Sequence, residues 1–298
     1  MRNWIFYKKE YSTHIHKKSD MIIDGKKIAK QDYASIKKEI QELDISPKLC
    51  AFLVGNNSAS LRYIEQKRKW AKKVGIEFIL HHLPENTTES HLLEMIQTIN
   101  EDTSIHGCMV QLPLPEQIDS HKVISTISPT KDVDGFHPLN IGKVVIWDTQ
   151  GFVPCTPAGV MHLLESLSIS LTGKQVVVIG RSNIVGKPLV NLMIQQWATV
   201  TSCNSHTGNI AYYTQNADIV VLAAGKPWLL GKDMLKSGSV VIDVGFTVVD
   251  GKIYGDARFE EIETSGHAVT PVPGWVWAMT VLHLMKNTLL AYKRQNEK

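Results

Sequence analysis

The sequence predicts an α/β protein of two domains, and three observations predict it. The chain has 298 residues, which at roughly 150 residues per domain accommodates two domains. From Met21 onward, short apolar runs alternate with longer amphipathic stretches, the pattern of βαβ units around a mainly parallel sheet. The run Gln175–Ile179 is almost purely apolar and stops at Gly180, as a parallel strand buried on both faces does before a glycine turn.

The elements follow in order. Ile28, Tyr33, Ile36, Ile40 and Leu43 recur at helical spacing within Lys26–Leu43. Leu49–Val54 reads as a strand ending at Gly55, Ser58 opens a helix to about Val74, and Ile76–Leu80 is the next strand. Glu89–Ile99 reads as helix and His106–Leu112 as a strand closed by Pro113 and Pro115. In the second half, Pro157 sits in the first turn of a helix running through Leu164 and Leu167. The strand Gln175–Ile179, a helix Gly186–Gln196 and strands Thr199–Cys203, Ile219–Ala223 and Val240–Val244 come next. A closing helix spans about Val276 to Tyr292, apolar on most of its early face and suited to packing against another domain.

Composition excludes several classes. Thirty-two basic and 29 acidic residues leave a net charge of +3, too small for a nucleic-acid footprint. With 43% hydrophobic and 20% charged residues the chain is neither disordered nor collagen-like. No stretch approaches the ~18 uninterrupted apolar residues of a membrane span. Cys50, Cys108, Cys155 and Cys203 are widely spaced with no CxxC pair, which fits a reducing compartment and a cytoplasmic location. No histidine sits in a ligand pattern, so no metal is expected. Residues 1–20 read as a disordered extension, or as residues ahead of an effective start at Met21, with an organellar targeting segment as the alternative. His14 and His16 in that stretch read as solvated.

Two segments carry chemistry. VVVIGRSNIVGKPL, residues 176–189, is a strand, a glycine turn and a helix start, the arrangement that brings backbone N–H groups to a pyrophosphate. Gly180 and Gly186 are not in the G-x-G-x-x-G spacing, and taken alone such a turn serves a purely structural role equally well. About 20 residues further on, where an NAD site places a carboxylate, the chain reads Ser202, Cys203, Asn204, Ser205, His206. Arg181 follows the first glycine and can pair with an additional phosphate, so the pattern favours NADP. In SLRYIEQKRK, Ser60, Tyr63 and Lys67 share one helix face. A lysine beside Arg68 and Lys69, held in a cleft, suits acid–base work, although taken alone the segment reads as a charged solvent face. Gln111 is polar at the carboxyl end of an apolar strand, where α/β sheets bind ligands, and Asp134 in KDVDGF precedes a glycine turn.

The runs YIEQKRKWAKKVGI, GCMVQLPLP, PTKDVDGFHPLNIGK, PCTPAGV, VVVIGRSNIVGKP and PVPG occur in this order. Together they resemble the bifunctional methylenetetrahydrofolate dehydrogenase/methenyltetrahydrofolate cyclohydrolase family from about Met21 to the end. The resemblance implies two domains around a cleft: a folate domain, 21–150, completed by the terminal helix 275–298, and a Rossmann-type NADP domain, 151–274. It also implies tetrahydrofolate derivatives as substrates, NADP as cofactor and a homodimer formed through the Rossmann domains, with neither nucleic acid nor membrane as partner. On the matched positions Lys67 is the catalytic lysine, Tyr63 packs against the folate, Gln111 positions the lysine and Asp134 anchors the pterin ring. Ser60 lies in the same matched helix, and Pro273 and Gly274 lie in the substrate-side PVPG run. Arg181, Ser182 and Ser205 surround the extra phosphate of the cofactor, with Gly180 and Gly186 framing the pyrophosphate turn.

Two departures stand out. The family pattern PVPGGVGPMT is PVPGWVWAMT here, with Trp275, Trp277 and Ala278 at the changed positions, and CHSKT is CNSHT. Tryptophan in place of glycine removes positive-φ freedom and adds a large side chain. The competing expectations are therefore a cyclohydrolase with weakened or lost dehydrogenase activity, and a non-catalytic nucleotide-binding regulator.

Overall fold

The computed structural model describes residues 23 and 25–296; the expectations for residues 1–20 lie outside them. The chain divides into two compact units. One comprises Lys30–Lys143, Gln150–Cys155 and the chain from Val281 on. The other comprises the described residues up to Ala29, Val144–Thr149 and Thr156–Thr280.

The unit that starts at Lys30 is built on a three-stranded parallel sheet, with β1 (Lys48–Val54) between β2 (Glu77–Leu83) and β3 (Gly107–Val110). All of β1 except Lys48 is buried, so it reads as a continuous apolar run. Cys50, Phe52 and Val54 face Leu92, Ile96 and Ile99 of a helix, α3 (Glu89–Glu101), and Val123 and Ile127. Each such side chain contributes about 1.5–3 kcal/mol on burial. α1 (Gly25–Gln41) precedes the sheet; its Tyr33 ring stacks on Trp70 of α2 (Ser58–Val74) with centroids 3.9 Å apart. Asn57 starts α2 by accepting from the N–H groups of Ala59 and Ser60, and Gly75 ends it in a left-handed conformation. Lys131 is buried, and its ammonium donates to the carbonyls of Ile99 and Asp102 at the end of α3, where the helix dipole favours a cation. Lys131 O accepts from Cys108 N, and Asp132 bridges to Cys108, so residues 131–132 extend the sheet beside β3. Two short helices, α4 (Ser120–Thr126) and α5 (Pro138–Val145), were not expected from periodicity.

The other unit contains α6 (Cys155–Ser166) from Thr156 on and has a five-stranded parallel sheet. Its strands in chain order are β4 (Gln175–Ile179), β5 (Thr199–Cys203), β6 (Ile219–Leu222), β7 (Val240–Asp243) and β10 (Ala268–Val269), and its spatial order is β10-β7-β6-β4-β5. α7 (Gly186–Gln195) connects β4 to β5, and α8 (Ile210–Thr214) leads from β5 back to β6 on the other side of β4. The direction of winding thus reverses between β4 and β6, the place where open α/β sheets bind ligands. An antiparallel hairpin, β8 (Thr247–Val249) and β9 (Lys252–Tyr254), turns at Asp250 and Gly251, both with positive φ. α9 (Phe259–Thr264) precedes β10, and α10 (Trp275–Asn296) closes the chain. Among the described residues no helix is long and apolar enough to cross a membrane.

Candidate active site

α2 buries Ser60, Ile64, Lys67, Ala71 and Val74, a stripe at helical spacing in which one member is a lysine. Lys67 therefore points inward while Arg68 and Lys69 remain exposed. Its ammonium donates to Gln111 Oε1 at 3.0 Å and lies 3.6 Å from the polarizable sulfur of Met109. Gln111 follows β3 directly, its N–H bonded to Phe52 O, and its Nε2 donates to Leu112 O at 2.7 Å. That second bond fixes which end of the amide is which: the carbonyl accepts Nε2, so Oε1 must face the lysine. Tyr63 flanks the stripe, half-buried, and burial pushes its phenol well above the usual range, so it stays neutral.

Asp134 lies just beyond the extension beside β3, at the same carboxyl edge as Gln111. Burial pushes its carboxyl up to about 6, with the Lys67 charge opposing and Asp132 adding to the rise. Asp132 is committed to structure: its carboxylate accepts from the N–H groups of Phe136 and His137 and from Asn140 Nδ2. The arrangement joins a neutral phenol, a buried ammonium and a buried carboxyl whose ionisation changes near pH 6, a set able to bind a polar heterocycle and move protons beside it.

In the other unit, Gly180 has φ +134°, and a Cβ there would lie 2.2 Å from Ala223 O at the end of β6. At Gly186 a Cβ would lie 2.1 Å from Gly180 O. Strand end, turn and helix start are thus packed too closely for any side chain, a requirement that spacing alone left open. Ser182 Oγ accepts from Val185 N (3.1 Å) and Gly186 N (3.3 Å), shaping the turn at the start of α7. Arg181 and Ser205 are exposed, each two residues past the register pair Ile179 and Cys203 on adjacent strands. Asn204–Thr207 is a turn closed by Asn204 Oδ1 and Thr207 Oγ1.

Sequence reasoning missed two aspartates in this unit. Asp256 accepts from the N–H groups of Ala224, Gly225 and Lys226, holding the loop after β6. Asp243 accepts from Gly245, Asp256 and Ala257, and burial pushes its carboxyl up to about 7. An acid at the carboxyl end of an apolar strand was the readable signal for Asp243. Pro273 is exposed and Gly274 has φ +129° immediately before α10. Trp275 and Trp277 lie inside α10, so the left-handed freedom that their replacement of glycine was expected to remove is not required there. Trp277 is half-buried.

Comparison with known proteins places this arrangement. Residues 23–134 match the family described as tetrahydrofolate dehydrogenase/cyclohydrolase, catalytic domain, and residues 154–296 match its NAD(P)-binding domain. The bifunctional protein FolD of Staphylococcus carnosus is 48% identical over 276 residues, covering 91% of this chain and 96% of that one. The Aquifex aeolicus protein of the same name is 46% identical, covering 92% and 96%. Among solved structures, the bifunctional FolD methylenetetrahydrofolate dehydrogenase/cyclohydrolase of Campylobacter jejuni superposes with TM-score 0.89 at 42% identity, covering 92% of this chain and 98% of that one. The Trypanosoma brucei enzyme, complexed with NADP cofactor and an inhibitor, gives 0.89 at 36% identity, covering 93% and 98%.

The buried Asp134 carboxyl has a consequence for stability. Its value of about 6 in the folded state lies above the ordinary 3.8, so the fold favours the protonated form. The contribution of this group to stability is greatest below the ordinary value and declines as pH rises to the folded value, by on the order of 3 kcal/mol. Asp134→Asn should therefore melt higher than the parent at pH 8 and close to it at pH 4, by scanning calorimetry. Equal differences at the two pH values would show that burial does not oppose this charge.

Proposed function

The chain belongs to the tetrahydrofolate dehydrogenase/cyclohydrolase family, and on that premise we propose that it carries out both reactions of the family on one substrate. In the first, methylenetetrahydrofolate gives a hydride to NADP and becomes the methenyl cation. In the second, water adds to the cationic carbon, a carbon–nitrogen bond opens, and formyltetrahydrofolate and one proton are released. The observation that carries this reading is the inward-facing Lys67, bonded to Gln111 at 3.0 Å and opposed in charge to Asp134. Relatives at 46–48% identity named as bifunctional support both activities over a cyclohydrolase with a weakened dehydrogenase and over a non-catalytic regulator.

Each residue then has a role. Asp134, ionised above about pH 6, accepts from the N–H donors of the pterin and fixes the ring. Tyr63 offers a neutral aromatic face beside it, with Ser60 on the same buried side of α2. Lys67 stabilises and delivers protons around the water that attacks the methenyl carbon, with Gln111 holding its ammonium on line. The residues also fit NADP, which when bound accepts the hydride. The cradle at Gly180 and Gly186 leaves no room for a Cβ, Arg181 is exposed, and no carboxylate occurs in 202–206 to repel a phosphate. We assign pyrophosphate to the Gly180–Gly186 turn, the additional phosphate to Arg181, Ser182 and Ser205, and the substrate side of the PVPG run to Pro273 and Gly274. We assign folate chemistry to 21–150 with 275–298 and cofactor binding to 151–274, with 144–149 and 275–280 packed in the same compact unit as the latter.

A homodimer through the cofactor-binding unit is the proposed assembly. Trp197 is 72% exposed and Ile146 73%, and Ile194 and Trp147 are also uncovered. Gln195 donates to Val144 O, tying the end of α7 to the segment that carries Ile146 and Trp147, beside the sheet-edge strand β5. We take these uncovered apolar side chains as part of the interface. The buried free thiols suit a reducing compartment, and the cytoplasm is the proposed location.

Three measurements test these assignments. Lys67→Met should abolish hydrolysis of the methenyl compound while folate still binds; hydrolysis near the parent rate refutes the role of Lys67. Arg181→Ala should weaken NADP by about tenfold or more with little effect on NAD, as the loss of a charge-assisted bond of ~1.5–3 kcal/mol requires; equal losses refute the phosphate assignment. Trp197→Glu should shift the mass measured by light scattering from dimer to monomer, and an unchanged dimer would place the interface elsewhere.

A further inference from the structure

Asp134 depends on a turn, and that turn is held by a residue distant in sequence. We propose that Asn287 of α10 is a positioning residue for the folate reactions: its side-chain amide clasps the Asp132–Gly135 turn to residues 152–155 and so sets the direction in which Asp134 is presented to substrate. This rests on the reading of Asp134 as the pterin-orienting carboxylate.

Asn287 is buried, and its Nδ2 donates to Val133 O at 2.8 Å and to Val153 O at 3.1 Å. It also lies 3.6 Å from Cys155 Sγ. Cys155 completes the clasp: its thiol donates to Val133 O at 3.2 Å and its backbone N–H to Asp134 O at 3.3 Å. The carbonyls on either side of the Asp134 Cα are therefore both held. Burial pushes the Cys155 thiol well up, so it keeps the proton it donates. The two segments meet closely, because at Gly135, with φ +76°, a Cβ would lie 2.7 Å from Pro154 N and from Val153 C.

An amide is suited to this position because its two hydrogens reach two carbonyls on separate segments. An apolar side chain could fill the same space but would leave buried carbonyls short of donors. On the other flank, Asp132 gathers Phe136 N, His137 N and Asn140 Nδ2. The backbone of Asp134 is thus fixed from both sides, and its carboxyl is left for Lys67 and for substrate. The charged groups that act on it are Lys67 from α2 and Asp132 from the same turn, and its own charge helps keep the neighbouring Cys155 thiol protonated.

The test measures KM, kcat and pH profiles of NADP-dependent oxidation for Asn287→Ala, Asp134→Asn and the double variant, with melting temperatures for each. A positioning role predicts that Asn287→Ala raises KM for methylenetetrahydrofolate about tenfold, changes kcat less than about threefold and leaves KM for NADP unaltered. The acid limb of kcat/KM, expected near pH 6 in the parent if Asp134 must be ionised, should move by about half a unit or more, because the Lys67–Asp134 geometry changes. In the double variant the two effects on KM should fall well short of additive. A lowered melting temperature with unchanged KM and acid limb, or additive effects, overturns the proposal. If Asn287→Ala does not fold, Cys155→Ala, which removes one donor to Val133 O, must show the same directions at smaller size, and its failure to do so overturns the proposal equally. An unchanged KM in Asp134→Asn removes the reading of Asp134 and this role with it. A raised KM there with none in Asn287→Ala removes this role alone.

Discussion

The unit that carries Lys67 is organised around keeping one ammonium group out of water. Taking a lysine from solvent costs several kcal/mol unless its charge and protons find partners. Lys67 has the Gln111 carbonyl at 3.0 Å, the Met109 sulfur at 3.6 Å and the opposing charge of Asp134. Each partner is itself dictated by the backbone. Had Leu112 O not been there to take the Gln111 NH2 group, the amide could turn donors toward the ammonium and repel it. The end of β3 therefore decides how Lys67 is held, and the extension of the sheet through 131–132 decides where Asp134 begins. Two effects then oppose each other at Asp134: burial favours the neutral acid, and the Lys67 charge favours the ion.

The cofactor-binding unit answers a different chemical demand with different groups. Hydride transfer asks mainly for placement, and this unit supplies fixed backbone more than titrating side chains. Gly180 and Gly186 bring the ends of β4 and β6 and the start of α7 into van der Waals contact. Asp243 and Asp256 use their carboxylates on loop N–H groups, six bonds between them, at the carboxyl edge of the sheet. Hydrolysis instead needs a group that handles protons, the role proposed for the buried Lys67 of the other unit. The two units thus carry two kinds of stabilisation, fixed backbone on one sheet and buried charge on the other.

How much of this was legible follows from range. The strands β1 and β4 were readable because their apolar runs are unbroken, and Asn57 and Gly75 at the ends of α2 are ordinary boundary signals. The inward turn of Lys67 was only half legible. It falls in line with Ile64, Ala71 and Val74, but Arg68 and Lys69 beside it give the whole segment the look of a solvated face. The hairpin at Asp250–Gly251 carried a readable Asp-Gly turn signal between apolar residues and was overlooked. β10 has two residues and α8 five, too few for any period to show. Asn287 could not have been found locally, since its partners Val133 and Val153 lie more than 130 positions away. Its amide is ordinary in sequence and meaningful only once the chain has closed.

The tryptophans at 275 and 277 show why a motif departure has to be read with its backbone. A glycine can be required for two separate reasons: a positive φ, or room for a neighbour. The positive φ in PVPGW belongs to Gly274, which is retained, at +129°. Positions 275 and 277 are helical, and in a helix glycine is the poorer residue by several tenths of a kcal/mol to about 1 kcal/mol. Replacing it therefore favours the start of α10 without touching the turn that precedes it. The backbone reason for expecting a lost dehydrogenase is removed, and what is left is a question of volume alone. For Trp277, which is half-buried and makes interactions of its own, the indole is accommodated within the structure.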